Sequence, residues 1–259
     1  MNIDEIISDS LRYPFRNWKK ILFLGIIILF SNIADSGAIL GPLNVVIVYF
    51  LVIVGYIIGF FGRGYMFRIM KSTLKDVVGL PNFNNWVEMF IDGIKVTIVS
   101  FVYASPSVLI MLFFMVLNFN FALASIGSNT SNFTVDIILG SGIWGLMAIL
   151  YVIIIIPILS IAIAHMANNN SKISAAFKFT EILNKISIIT WSKLIKWYIA
   201  TLLILFALST ITSIIFVFIN LNLERLLIYL VVTPYFSIYT FRSAALIYIS
   251  DESGEENNE

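Results

Sequence analysis

The sequence predicts an all-α fold: a polytopic transmembrane helical bundle of about six spans, with three amphipathic helices along its cytoplasmic surface. Three observations predict it. The 259 residues are 59% hydrophobic and only 12% charged, where a soluble domain carries roughly 25% charged and 45–50% apolar residues. Six stretches approach the ~20 mostly apolar residues that cross a ~30 Å hydrocarbon core. Of the 16 lysines and arginines, 14 fall on one side of those stretches.

The stretches run near 19–35, 44–67, 96–118, 137–166, 194–219 and 225–249. They form a single integral membrane domain over residues 1–250, followed by an acidic disordered tail over 251–259. The first is the shortest in strongly apolar sequence, Ile21 to Phe30, and ends in Ser31-Asn32. It reads as a span and not a signal peptide, because Asp4, Glu5 and Asp9 precede it where a signal peptide carries a short basic segment. Helices are required because hydrocarbon offers the backbone no hydrogen-bond partner. Runs such as Val152-Ile153-Ile154-Ile155-Ile156 lack the period-2 alternation of barrel strands.

Orientation follows from the basic residues. Arg12, Arg16, Lys19 and Lys20 precede the first stretch. Arg63, Arg68, Lys71, Lys75 and Lys95 lie around the second connection, and Lys172, Lys178, Lys185, Lys193 and Lys196 around the fourth. The positive-inside rule makes this side cytoplasmic, with both termini there, in a multi-pass protein of the cell membrane. The opposite connections hold Asp35, Asp136 and Glu224. One of them contains Asn129-Thr130-Ser131 and Asn132-Phe133-Thr134, two glycosylation patterns of low specificity.

Three segments carry an apolar face at helical spacing. These are Ile3, Ile6, Ile7 and Leu11 before Pro14; then Phe83, Trp86, Val87, Phe90, Ile91 and Ile94; then Ala176, Phe179, Ile182, Leu183 and Ile186. Helices of this kind settle at the headgroup boundary. Asn85 and Glu88 have the spacing of a capping box. Trp18, Trp86, Trp191 and Trp197 stand where an interfacial aromatic belt belongs. The order of surface helix, span, span then repeats three times, as a pseudo-threefold arrangement would.

Several chemistries are excluded or unsupported. The chain has no cysteine and one histidine, His165, so cysteine chemistry and a His-rich zinc site are ruled out. No phosphate loop, nucleophile elbow, HExxH or dinucleotide fingerprint occurs. A net charge of +1 gives no bulk signal for nucleic acid. The expectation is a non-enzymatic protein without cofactor that organises lipid or a partner protein, with the lipid bilayer as partner and self-association left open; the alternative is a transporter or channel for a small solute or lipid.

Charges at membrane depth are costly and point to candidate residues. Arg242 lies about seven residues from the inner end of the last stretch, ~10 Å deep at 1.5 Å per residue. It is expected to snorkel to a water or a backbone carbonyl, or else to line a ligand path. Arg63 and Arg68 are expected as interface anchors or lipid-phosphate ligands. Arg68 is expected to pair with Glu88 or Asp92 and so pin the Trp86 helix. His165 is expected to be a hydrogen-bonded interfacial residue, since its own stretch offers no relay partner. Gly55 and Gly59 form a GxxxG pair for close helix packing. Pro106, Pro157 and Pro234 lie within stretches and can kink them.

The region from Gly64 to Gly93 contains Gly64-Tyr65-Met66-Phe67-Arg68, Leu80-Pro81-Asn82-Phe83-Asn84-Asn85-Trp86 and Phe90-Ile91-Asp92-Gly93, with Tyr13-Pro14-Phe15 and Trp18 upstream. These pieces resemble the uncharacterised membrane-protein family called domain of unknown function 4013, found in archaea, including methanogens, and in bacteria. The resemblance extends roughly from Ile6 to Ile249 and implies the same multi-pass architecture without an established activity. Acidic residues are common around the Phe-x-x-Trp of that family. Here Asn82, Asn84 and Asn85 stand instead, so no role that needs those carboxylates carries over.

Overall fold

A computed structural model of the chain describes residues 1–32, 45–125, 133–216 and 221–250. The tripeptides at Asn129 and Asn132, Asp35 and the tail 251–259 lie outside the described residues. Among those described there are helices and no strand. The principal helices are α1 (Ile3–Arg12), α2 (Trp18–Ser31), α3 (Val45–Thr73), α4 (Trp86–Ser125), α5 (Phe133–Asn168), α6 (Phe179–Ile189), α7 (Trp191–Phe216), α8 (Leu221–Leu227) and α9 (Thr233–Ile249). A π-turn, Ile228–Val232, joins α8 to α9.

Among the described residues, five segments are long and apolar enough to cross a bilayer: Val45–Thr73, Trp86–Val116, Trp144–Asn168, Trp191–Phe216 and Leu223–Ile249. The expected first span is the 14-residue α2, ~21 Å long at 1.5 Å per residue and short of the hydrocarbon thickness. The long helices expose the side chains a soluble protein would bury. Phe101, Leu109, Met111, Leu203, Phe206 and Ile214 are all exposed, a distribution that suits lipid as solvent.

The chain divides into two compact units, Met1–Thr97 with Ser160–Glu259, and Ile98–Leu159. The larger unit has a core of Tyr13, Ile21, Leu24, Tyr65, Met66, Ile69, Leu80, Met89 and Ile238. Its helices pack closely through glycine. A Cβ on Gly64 would collide with the carbonyl oxygen of Met89, and one on Gly93 with that of Phe60, so α3 and α4 touch backbone to backbone. Gly55 of the GxxxG pair faces the Ser31 carbonyl of α2 in the same way.

In the smaller unit, Pro106 supplies no N–H for the Val102 carbonyl. The Ser105 hydroxyl donates to that carbonyl at 2.7 Å, and Tyr151 donates to the Tyr103 carbonyl at 2.8 Å. The proline is thus accommodated inside a continuous helix.

Two of the three expected surface helices form as separate elements, α1 and α6. The second does not. Trp86 opens a helix that runs unbroken to Ser125, and Phe83 stays in the preceding loop. No breaker stands between Trp86 and Pro106 except Gly93, which is held by its contact with Phe60. The polar face of Glu88, Asp92 and Lys95 is met by neighbouring side chains, so the segment need not turn along the membrane surface. The pseudo-threefold order therefore survives at its first and third positions only. Asn85 has φ of 49°, left-handed and unlike the extended residue of a usual N-cap.

Candidate functional site

The charged residues gather at one end of the larger unit, in three clusters and a groove. The first cluster joins the two pieces that carried the family resemblance. Tyr65 stacks on Phe83 with ring centroids 3.9 Å apart, and its hydroxyl donates to the Pro81 carbonyl at 3.0 Å. One turn along α3, Arg68 closes the same loop. Its Nη1 donates to the carbonyl of Asn82 at 3.0 Å, to the carbonyl of Asn84 and to Asn84 Oδ1 at 2.9 Å. Its Nη2 donates to the Asn85 carbonyl at 3.3 Å. The expected pairing of Arg68 with Glu88 or Asp92 is therefore corrected. The guanidinium fork is satisfied by loop carbonyls, and Lys71, three residues on, takes the carboxylates.

That exchange builds the second cluster. Lys71 Nζ lies 2.9 Å from both Glu88 Oε1 and Asp92 Oδ2, and donates to Ser171 Oγ at 3.2 Å. Asp92 is 3% exposed and also meets Lys95 at 3.5 Å. Lys95 in turn donates to the Ser171 carbonyl at 3.0 Å. A buried carboxylate held by two ammonium groups is stabilised against its desolvation. The cluster lines a pocket of about 400 Å³ with Lys75, Asn168 and Asn170.

The third cluster holds α9. Arg242 is 9% exposed. Its Nε lies 2.9 Å from Asp9 Oδ2, its Nη1 donates to Thr73 Oγ1 at 3.0 Å, and its guanidinium sits 4.4 Å from the centre of the Tyr13 ring. Asp9 also pairs with Arg16 at 3.1 Å. The water or carbonyl partner expected for Arg242 is thus replaced by a carboxylate from α1. Tyr13 donates to the Gly79 carbonyl at 2.6 Å. Burial pushes its hydroxyl above the ordinary tyrosine range, against the opposing pull of Arg242 and Arg16.

His165 joins three elements. Its Nδ1 is 2.9 Å from the Tyr248 hydroxyl and its Nε2 is 3.0 Å from Glu181 Oε2; which nitrogen carries the proton follows from the tautomer. Asn169, just past the end of its own helix, lies 3.3 Å from the same Nε2, while Tyr248 and Glu181 come from α9 and α6, which no spacing along its own helix reveals. Glu181 also accepts from Lys178 at 2.7 Å. The Lys178 hydrogen bond first, and that to His165 second, hold the Glu181 carboxyl below the usual carboxylate range.

Arg63 is different. It is exposed, and among the described residues its contacts are a 3.4 Å hydrogen bond to Thr97 Oγ1 and the Tyr56 ring 5.9 Å away. Thr97 lies eleven residues beyond Trp86, ~16 Å along α4 at 1.5 Å per residue. Lys95, two residues before Thr97 on α4, belongs to the second cluster, so the guanidinium borders the charged end of the larger unit. It lines a half-open groove of about 440 Å³ with Ser31, Asn32, Tyr56, Thr233 and Ser237.

Trp18, Trp86 and Trp191 are each the first residue of a helix, and all three are exposed. Trp197, expected beside them, is instead buried. Asp9, Thr73, Tyr13, Lys71, Lys95 and Ser171 complete the clusters; the sequence marks Asp9, Lys71 and Lys95 only as charges and Tyr13 only as part of the resemblance, and gives no signal for Thr73 or Ser171. The Asp9 and Arg242 partners are 233 positions apart, and no periodicity links them. Lys71 carried a local signal, because it follows Arg68 by one helical turn.

Among the described residues no group of three or more acidic or histidine side chains is placed to hold a metal ion. No curated protein and no solved structure matches the chain. The family model described as Protein of unknown function (DUF4013) matches residues 47–219, which include the Tyr65–Phe83 and Arg68 lock and the whole Lys71 cluster. With 173 of its 259 residues matched, the chain belongs to the Protein of unknown function (DUF4013) family.

Proposed function

We propose that this protein is a non-enzymatic, multi-pass membrane protein that organises anionic lipid around its basic end, and that this end faces the cytoplasm with both termini. The observation that carries the reading is the collar of exposed aromatic and basic side chains there. Phe15, Trp18, Trp86, Phe179 and Trp191 are exposed, and Arg12, Lys19, Lys75, Lys172, Lys178 and Lys196 are exposed beside them. Aromatic rings of this kind sit at headgroup level. A lysine near an anionic surface contributes about 1 kcal/mol of attraction. Arg68, Arg242 and His165 are engaged in holding helices together, which leaves the collar as the charged surface open to lipid.

The test is tryptophan fluorescence of the full chain in vesicles containing brominated lipid. At equal mole fraction, brominated phosphatidylglycerol should quench at least twofold more than brominated phosphatidylcholine. The excess should fall as salt is raised, because screening weakens exposed charge. Equal quenching by the two lipids would refute the reading.

A second reading, transport of a small solute or lipid, is favoured by one feature. The last span is interrupted by the π-turn at Ile228–Val232 and by Pro234, beside the Arg63 groove. Interrupted helices next to polar cavities are the usual architecture of transporter binding sites. Flux of an anionic lipid between leaflets of reconstituted vesicles, faster than in protein-free vesicles, is its measurement.

A further inference from the structure

We propose that the groove beneath Arg63 is a binding site for the oxyanion headgroup of a membrane amphiphile, a lipid phosphodiester or a fatty-acid carboxylate. The inference rests on the reading of these helices as membrane spans. It goes beyond the collar by naming a discrete site inside the bundle.

Four observations carry it. The groove holds about 440 Å³, within the roughly 300–1,000 Å³ of small-ligand sites. Its one cation, Arg63, has no carboxylate partner among the described residues, whereas Arg16 and Arg242 share Asp9 and Arg68 is saturated by loop carbonyls. The planar guanidinium fork of Arg63 matches a phosphate or carboxylate. The hydroxyls of Thr233 and Ser237 line the groove and make no hydrogen bond among the described residues. Further along α9, Thr240 and Ser243 donate to their own helix. Unbonded hydroxyls in an apolar setting are donors for the remaining oxygens of a headgroup.

The source of the oxyanion follows from the setting. The groove lies along Val45–Thr73, a segment long and apolar enough to cross a membrane. An amphiphile is already in the bilayer, and its hydrocarbon part can remain in lipid while its headgroup occupies the groove. The floor is small at Gly55 and Gly59. A Cβ on Gly59 would make ordinary contacts with Ser31 Cβ at 3.7 Å and Arg63 Nη1 at 3.9 Å, so a larger side chain there would grow into the groove while leaving the arginine in place.

The experiment is native mass spectrometry of the full chain in neutral detergent, titrated separately with phosphatidylglycerol, oleate, phosphatidylcholine and inorganic phosphate. Wild-type protein should retain one phosphatidylglycerol or oleate per chain. Arg63→Gln should weaken that retention at least tenfold, and Gly59→Leu should do the same with the charge intact. Unfolding midpoints of both variants should stay near that of the wild type, so that lost binding is not lost folding. The proposal is overturned if Arg63→Gln retains the amphiphile as tightly as wild type. It is overturned if inorganic phosphate binds where neither amphiphile does. It is also overturned if the wild-type protein retains no amphiphile. A Lys19→Gln/Lys196→Gln variant separates the two proposals: loss of lipid there, with none in Arg63→Gln, leaves the collar standing and removes the groove.

Discussion

Phe83 lies flat on Tyr65, with ring planes 7° from parallel. The contact explains why the Gly-Tyr-x-x-Arg and Leu-Pro-x-Phe-x-x-Trp pieces occur in one chain. Tyr65 holds the ring and the Pro81 carbonyl, Arg68 gathers three further carbonyls, and Gly64 lets the following helix approach. Each residue of the first piece has a partner in or just beyond the second. The loop between α3 and α4 is thereby fastened at its end without a carboxylate, chiefly through backbone carbonyls, with Asn84 adding its side chain.

Arg68 is the residue of this lock whose chemistry is least replaceable. A lysine ammonium can donate in three directions but lacks the fork that spans Asn82 to Asn85. Arg68→Lys is expected to destabilise the protein by about 1–2 kcal/mol. Asn84→Asp, which offers Arg68 a carboxylate, is expected to be neutral or stabilising. Unfolding of the purified variants in detergent measures both.

The crossing of α3 and α4 leaves no room for a methyl group. Gly64→Ala and Gly93→Ala each place a Cβ against a backbone carbonyl, which side-chain motion cannot relieve. Each should cost more than about 3 kcal/mol or abolish folding. Gly145 has nothing within 4 Å of its would-be Cβ. Gly145→Ala in α5 should stabilise by about 0.5–1 kcal/mol through helix propensity. Expression level and unfolding midpoint of the three variants separate the two behaviours.

Asp9 and Arg242 join the first helix to the last. Asp9→Ala leaves a mostly buried guanidinium without its carboxylate and should cost about 2 kcal/mol, moderated by the partial exposure of Asp9 and the remaining Thr73 bond. In a double-mutant cycle with Arg242→Met, the pair should cost less than the sum of the single substitutions. Additive effects would mean that the ion pair contributes nothing to stability.

The α6 contact should depend on acid. Glu181 has a folded-state pKa below its unfolded value, so its contribution is fully present above the ordinary carboxylate range and is lost as pH falls through the depressed value. The difference in unfolding midpoint between wild type and Glu181→Gln should be present at pH 7 and shrink as pH falls through the ordinary carboxylate range and below it. A difference that persists in acid would contradict the His165–Glu181–Lys178 arrangement.

The architecture was legible because length and apolarity suffice to identify helices in lipid, and Ile3–Arg12 and Phe179–Ile189 carry clear two-faced spacing. The Trp86 segment misled because an amphipathic face signals a polar surroundings without saying whether water or other side chains supply it. Lys71 and Ser171 supply it here. The site was harder to read. Arg242 drew attention as an intramembrane charge, yet its carboxylate lies at the other end of the sequence. Arg63 is held by Thr97 and faces the Tyr56 ring, and the direction in which its side chain leans along α3 is not written in its neighbours.

The central claim is that the basic connections lie on one side of a membrane crossed by the long helices. Because the chain has no cysteine, single cysteines report topology directly. Lys75→Cys, Ser253→Cys and Ser128→Cys variants in sealed vesicles are treated with an impermeant maleimide from each side in turn. The account predicts that Cys at 75 and 253 react from one side, the cytoplasmic one, and Cys at 128 from the other. Reaction of all three from the same side would contradict it.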